Sequence, residues 1–210
     1  DYVYIILDEN TITEGDDTRV QGINLSAKFD QWNSEAELYF LNKFDQSPAG
    51  GVRAEDGSVS TLGLRGSAQP AEGCSVWAEL AYQFGTTVTD FEVIQASGTG
   101  HSAWAANLGA DHTFKNVATT PHVGAEWRFY SGNDSDGAAL GWSAIAPGYF
   151  TTALREFQTR STVTGFYPNS QAGVTSGQTN QHELGIFGGL KPLEDLDVNS
   201  RLSWFVLDVP

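Results

Sequence analysis

Every second residue of SVWAELAYQFG (75–85) is apolar: Val76, Ala78, Leu80, Tyr82 and Phe84. The intervening set is Ser75, Trp77, Glu79, Ala81 and Gln83. Side chains of a strand point alternately to opposite faces, so the stretch predicts a strand with one apolar face and one mostly polar face. The pattern recurs in GINLSAKFD (22–30), STLGLRGSA (60–68), AWAANLGADHTF (103–114), HVGAEWRFY (122–130) and LDVNSRLSWFV (196–206). Residues 2–7, 36–45 and 180–190 show it less cleanly. The total is about nine strands with almost no helix.

The connections discriminate between architectures. Residues 9–19, 46–57, 86–101 and 131–178 are long; 31–35, 69–74, 115–120 and 191–195 are short, and the two kinds alternate. An up-and-down meander with long loops at one end and tight turns at the other has this rhythm. A Greek-key sandwich has no reason to produce it. Several strands run about ten residues or more, the length a tilted strand needs to cross a bilayer. Small residues (Gly63, Ala81, Ala105, Gly109, Gly124, Gly185) recur on the polar faces. Glycine weakens a strand, so the pattern suggests a lumen that leaves room for a solute. Aromatic residues collect near strand ends, as in interfacial girdles.

These features predict an all-β chain, an antiparallel up-and-down transmembrane β-barrel. Residues 1–210 form a single segment, with the long loop 131–178 outside the cell. On this reading Leu62, Leu64, Leu80, Leu108, Val123, Ala125 and Leu202 face outer-membrane lipid. The pore lining comprises Lys28, Lys43, Arg65, Glu79, Gln83, Asn107, Asp111, Glu126, Arg128 and Arg201. Glu37, Glu183 and Asp197 share those faces. A second reading of the same alternation is a soluble extracellular β-sandwich, a carbohydrate-binding module with its apolar faces packed together.

Composition removes other classes. No apolar run reaches about 18 residues, so an ordinary transmembrane helix is excluded, whereas a barrel is not. The formal net charge of −15 leaves no basic footprint for nucleic acid. Cys74 is the only cysteine, so no intrachain disulfide can form.

No catalytic constellation is present, and the chain reads as a non-enzyme without a cofactor. His101, His112, His122 and His182 lack metal-ligand spacing. NDSDG (133–137) has Gly132 and Ser143 where a calcium loop requires acids, leaving Asp134 and Asp136 as candidates for loose cation contact only. In APGYFTTALREFQTR (146–160), Phe150, Leu154 and Phe157 recur at helical spacing behind Pro147, predicting a short amphipathic helix that could constrict the pore.

TLGLRGSA (61–68), a short turn and WAELAYQFG (77–85) resemble the alginate-export family of bacterial outer-membrane β-barrels. That family has a Gly-x-Arg strand followed by a strand with Glu and Gln four apart. EWRFYSGNDSDG (126–137) is similar to its strand ending before a long loop, with Asn133 where the family has Asp. TNQHELGIFGGLKPLEDLDV (179–198) resembles its late hairpin. The likeness spans most of residues 36–208. It implies a barrel in the bacterial outer membrane with about twice the strands counted here, so these residues are expected to be one part of a larger barrel. It also implies a channel for a small hydrophilic solute or a saccharide, lined by arginine and lysine. Here acids sit among the bases, with Glu79 and Glu126 expected beside Arg65 and Arg128. The prediction is therefore a channel that does not favour large polyanions.

Overall fold

The computed structural model describes residues 1–8, 18–45, 57–87, 99–132, 141–142 and 181–208. They form one antiparallel sheet of nine strands in sequence order. The strands are β1 (Tyr2–Asp8), β2 (Thr18–Phe29), β3 (Ser34–Asp45), β4 (Gly57–Ala71), β5 (Cys74–Thr87), β6 (Thr99–Thr113), β7 (His122–Tyr130), β8 (Gln181–Leu193) and β9 (Leu196–Val206). Each pairs only with its chain neighbours, giving the expected up-and-down meander. The sheet is not closed: β1 and β9 stand at its two edges. Because neighbours are antiparallel and consecutive, all four long connections leave and re-enter at the same end of the sheet.

The strands run past their alternating stretches. Residues 57–59, 69–71 and 99–102 belong to β4 and β6 rather than to loops. In β4 the extension bears Pro70 next to an irregularity in pairing with β5, where a missing N–H costs no ladder bond. The turn is then only Glu72 and Gly73, with Gly73 at φ 74, a conformation that suits glycine. At the β2–β3 turn, Trp32 and Asn33 take up φ 57 and 44, closing the chain tightly around Gln31–Asn33.

Burial is inverted relative to a water-soluble protein. Among the described residues the buried apolar side chains are small or short: Val20, Ala81, Ala103 and Ala105. Gln83, Thr61, Gln181, Glu183 and Glu126 are as deeply buried. The large apolar residues lie outside: Leu64 is 58% exposed, Leu80 52%, Leu108 55% and Leu202 58%. Leu62, Val123 and Ala125 are exposed as well. A row of leucines, Leu25, Leu38, Leu64 and Leu80, crosses β2 to β5 in register. So broad an apolar surface would not survive in water but suits hydrocarbon. This overturns the sandwich alternative, which needs a second sheet packed on these faces; the described residues make one sheet only.

The sheet is also staggered. A single hydrogen-bonded row joins Glu37 of β3 to Glu183 of β8. Glu37 lies close to the first residue of β3, Ser34, whereas Glu183 lies ten positions before the last residue of β8, Leu193. Such progressive stagger is the shear that tilts strands in a barrel wall.

Candidate functional site: a charged row on the concave face

The row that records the stagger also carries the charges. Ser26, Glu37, Arg65, Glu79, Asn107, Arg128 and Glu183 are successive cross-strand partners from β2 to β8, on the face opposite the leucines. Each strand contributes one polar residue because each alternates in phase with the next. A register slip of one residue would turn that strand's charge out to the apolar side.

The charges of the row are paired in two halves, with help from Tyr39, Glu126 and Arg201 beside it. In the first, the Arg65 guanidinium meets the Glu37 carboxylate. Glu79, directly across from Arg65 in register, instead accepts a hydrogen bond from the Tyr39 hydroxyl at 2.6 Å. Tyr39 reaches from β3 to β5 by lying over Gly63 of β4; a Cβ at Gly63 would sit inside the phenol ring. Thus Glu79 is beside Arg65 as the sequence predicts, but the ion pair goes to Glu37. Two strands away, a phenol has better reach to Glu79 than its neighbour's guanidinium.

The second half is a closed cluster of four. The Nε of Arg128 donates to Glu126 Oε1 at 2.8 Å, and its Nη1 lies 3.9 Å from Glu183 Oε2. Arg201 of β9 meets Glu126 Oε2 at 3.0 Å and Glu183 Oε1 at 3.1 Å. Ser203 Oγ adds a 3.1 Å hydrogen bond to the same Glu183 oxygen. The side chains are 3% (Glu183), 6% (Glu126) and 18% (both arginines) exposed. Buried charges persist only when paired and hydrogen-bonded, and here each charge has two opposite partners.

The glycines on this face serve a different end from the one the sequence suggests. Gly63 is covered by Tyr39, Gly109 by the Trp77 indole, Gly124 by Phe187 and Gly185 by the Arg201 guanidinium. They make room for a neighbouring strand's large side chain, not for solute. Trp77 and Phe187 then approach to 6.4 Å between ring centroids, three strands apart, with Arg201 5.8 Å from the Phe187 ring. These inward contacts bend the sheet around a trough whose floor is the charged row.

The remaining sequence candidates fall as follows. Gln83 is fully buried, donating to Thr61 Oγ1 at 3.2 Å, with His101 Nε2 3.1 Å from its oxygen. Asn107 is half-buried in the row, and Asp111 lies on the same face, opposite Ser75 and Gly124. Lys28 sits at the turn end, 3.9 Å from Glu35 and largely exposed. Lys43 is half-buried at the other end, between Val20 and Val59. Phe150, Leu154, Phe157, Asp134 and Asp136 lie outside the described residues. Among the described residues no group of three or more His, Cys, Asp or Glu could hold a metal, and no helix is long and apolar enough to cross a membrane.

The alternation test put Trp77 on the polar face of its strand without giving it a role, and it passed over Tyr39 and Phe187 as inward-facing residues. The signal was available in their parity: each shares it with a charged neighbour, Glu37, Glu79 and Lys191 respectively. Trp142 was a further omission. It lines the trough, and its backbone N–H donates to the Ser131 carbonyl at 2.9 Å.

A sheet polar within and apolar without, staggered and meandering, has the pattern of an outer-membrane barrel wall. A family model described as alginate export matches residues 7–209. The chain belongs to the alginate-export family. No curated protein and no solved structure matches it. Family membership carries an outer-membrane, β-barrel and transport assignment, and with it a general export or channel role.

Proposed function

We propose that the chain builds the wall of a bacterial outer-membrane channel through which a small hydrophilic solute, of the saccharide class, passes without covalent chemistry. The inverted burial carries this reading: a paired charged row is sequestered on one face while leucines are presented on the other. Selectivity would come from the exposed part of the row. Arg65 is 55% exposed, whereas Arg128 and Arg201 are engaged in the closed cluster. Across the two halves, Glu37, Glu79, Glu126 and Glu183 face Arg65, Arg128 and Arg201, leaving no surplus of positive charge to draw in a polyanion. The long connections at one sheet end would face the cell exterior.

Planar bilayers under a salt gradient test this. Expected is an open, ohmic pore with weak or cation-leaning selectivity, moved toward anions by Glu79→Gln and further toward cations by Arg65→Gln. Clear anion selectivity in the unmodified intact protein refutes the charge argument. Folded protein that conducts no ions refutes the channel.

A further inference from the structure

The trough supports a narrower inference, resting on the channel reading above: we infer that it holds a binding track for an uncharged oligosaccharide, with the Trp77 indole as its stacking platform. Three hollows follow one another along β4. The first, about 480 Å³, lies among Tyr39, Thr61, Arg65 and Trp142. The second, about 350 Å³, lies among Arg65, Trp77 and Asn107. The third, about 380 Å³, lies among Ser67, Gln69 and Trp77. Arg65 and Glu79 are common to the first and second, Ser67 and Trp77 to the second and third. Each has the size of a small-molecule site. From Thr61 to Gln69 the track follows nine residues of β4, about 26 Å at the rise of a strand, enough for several sugar units.

The lining selects a sugar. Trp77 is half-buried and seated over Gly109, fixed at one side by Phe187, and it borders two of the three hollows. A rigid indole gives a flat apolar surface for the C–H face of a pyranose, at little entropic cost. The polar lining is rich in acceptors. Hydroxyls suit this lining, donating to the Glu37 and Glu79 carboxylates and accepting from the Arg65 guanidinium.

The lining also selects against charge. The second hollow has Glu35, Glu37 and Glu79 against Arg65, whose guanidinium is already engaged by Glu37. A uronate carboxylate has acceptors only and would meet an excess of acids there, three against Arg65 and the Lys28 that lies 3.9 Å from Glu35. A neutral hexose meets none of this repulsion.

The test records single-channel current through the intact protein, with cellohexaose or a hexagalacturonate of equal length on one side. Cellohexaose should interrupt the current, with residence at least tenfold longer than the oligouronate. Trp77→Ala should shorten that residence about tenfold, the equivalent of one aromatic contact, and Trp77→Phe should keep most of it. Heat-shifted gel mobility checks that each variant folds; if Trp77→Ala does not, Trp77→Leu against Trp77→Phe makes the same comparison. Longer blockade by hexagalacturonate, equal blockade in the alanine variant, or no blockade by either sugar overturns the track while leaving the channel standing. Should no current flow, the channel falls instead, and calorimetric titration of cellohexaose onto the detergent-solubilised protein decides the track. Loss of binding in Trp77→Ala supports it, and no binding or no change overturns it.

Discussion

Replacing Glu183 by Gln keeps the shape of the side chain and removes one of four charges from the cluster on β7, β8 and β9. In the native arrangement Glu183 lies 3.1 Å from Arg201 and 3.9 Å from Arg128. At an effective dielectric of about 20, those attractions amount to roughly 4–5 kcal/mol each. Repulsion from Glu126 and the desolvation of a side chain 3% exposed offset much of this. What remains after the change is two arginines sharing Glu126 alone, one positive charge in excess in a buried site. Breaking a buried pair costs about 3–5 kcal/mol. The retained amide oxygen and the second acid put this substitution at the lower end, about 3 kcal/mol. Removing the surplus charge should reverse most of the loss, so Glu183→Gln combined with Arg128→Gln should be more stable than Glu183→Gln alone. The assay is urea unfolding of the chain reconstituted in lipid vesicles, followed by tryptophan emission, with midpoints compared at constant slope. A single variant within about 0.5 kcal/mol of the native protein, or a double variant less stable than the single, would refute the idea that charge balance holds these strands together.

Leu64→Arg should destabilise the folded protein by about 2–4 kcal/mol in vesicles, whereas Ser67→Arg, on the trough side, should change stability little; equal effects would remove the assignment of faces. Gly63→Val drives a side chain into the Tyr39 ring and should cost about 1–3 kcal/mol by displacing the hydroxyl from Glu79. Tyr39→Ala in the same chain should recover part of that, and additive losses would count against the nesting. Epitope tags inserted at Gly15, Gly51, Gly98 and Gly137 should all be reached by antibody on intact cells, and a split between the two sides would defeat the topology.

Nine strands and their two faces were legible because each strand lies between different surroundings, and alternation records that difference residue by residue. Strand ends were not. Gly57 to Val59, Ala71 and Thr86 to Thr87 pair in the sheet without alternation, since past the apolar band both faces can meet water. The charged residues of the row were likewise readable one strand at a time, from Arg65 to Glu183. Of their partners, Glu126 beside Arg128 was readable within one strand, whereas the others were not, because pairing depends on register and reach across strands. Tyr39 finds Glu79 over Gly63, and Arg201 finds two acids on two strands. Neither contact leaves a trace in any single segment. The purpose of the inward glycines was misread for the same reason: each one is explained by a side chain far away in sequence.

The closed cluster has a consequence for anyone wishing to retune such a wall. Glu126, Arg128, Glu183 and Arg201 act at once as mortar between β7, β8 and β9 and as fixed charge beside the passage. Altering the passage there means loosening the masonry. Arg65, half exposed and tied to one acid, offers a place where charge can be redrawn with little penalty to the building. Over generations the two regions should therefore drift at different tempos, the first only by matched exchanges and the second by single steps.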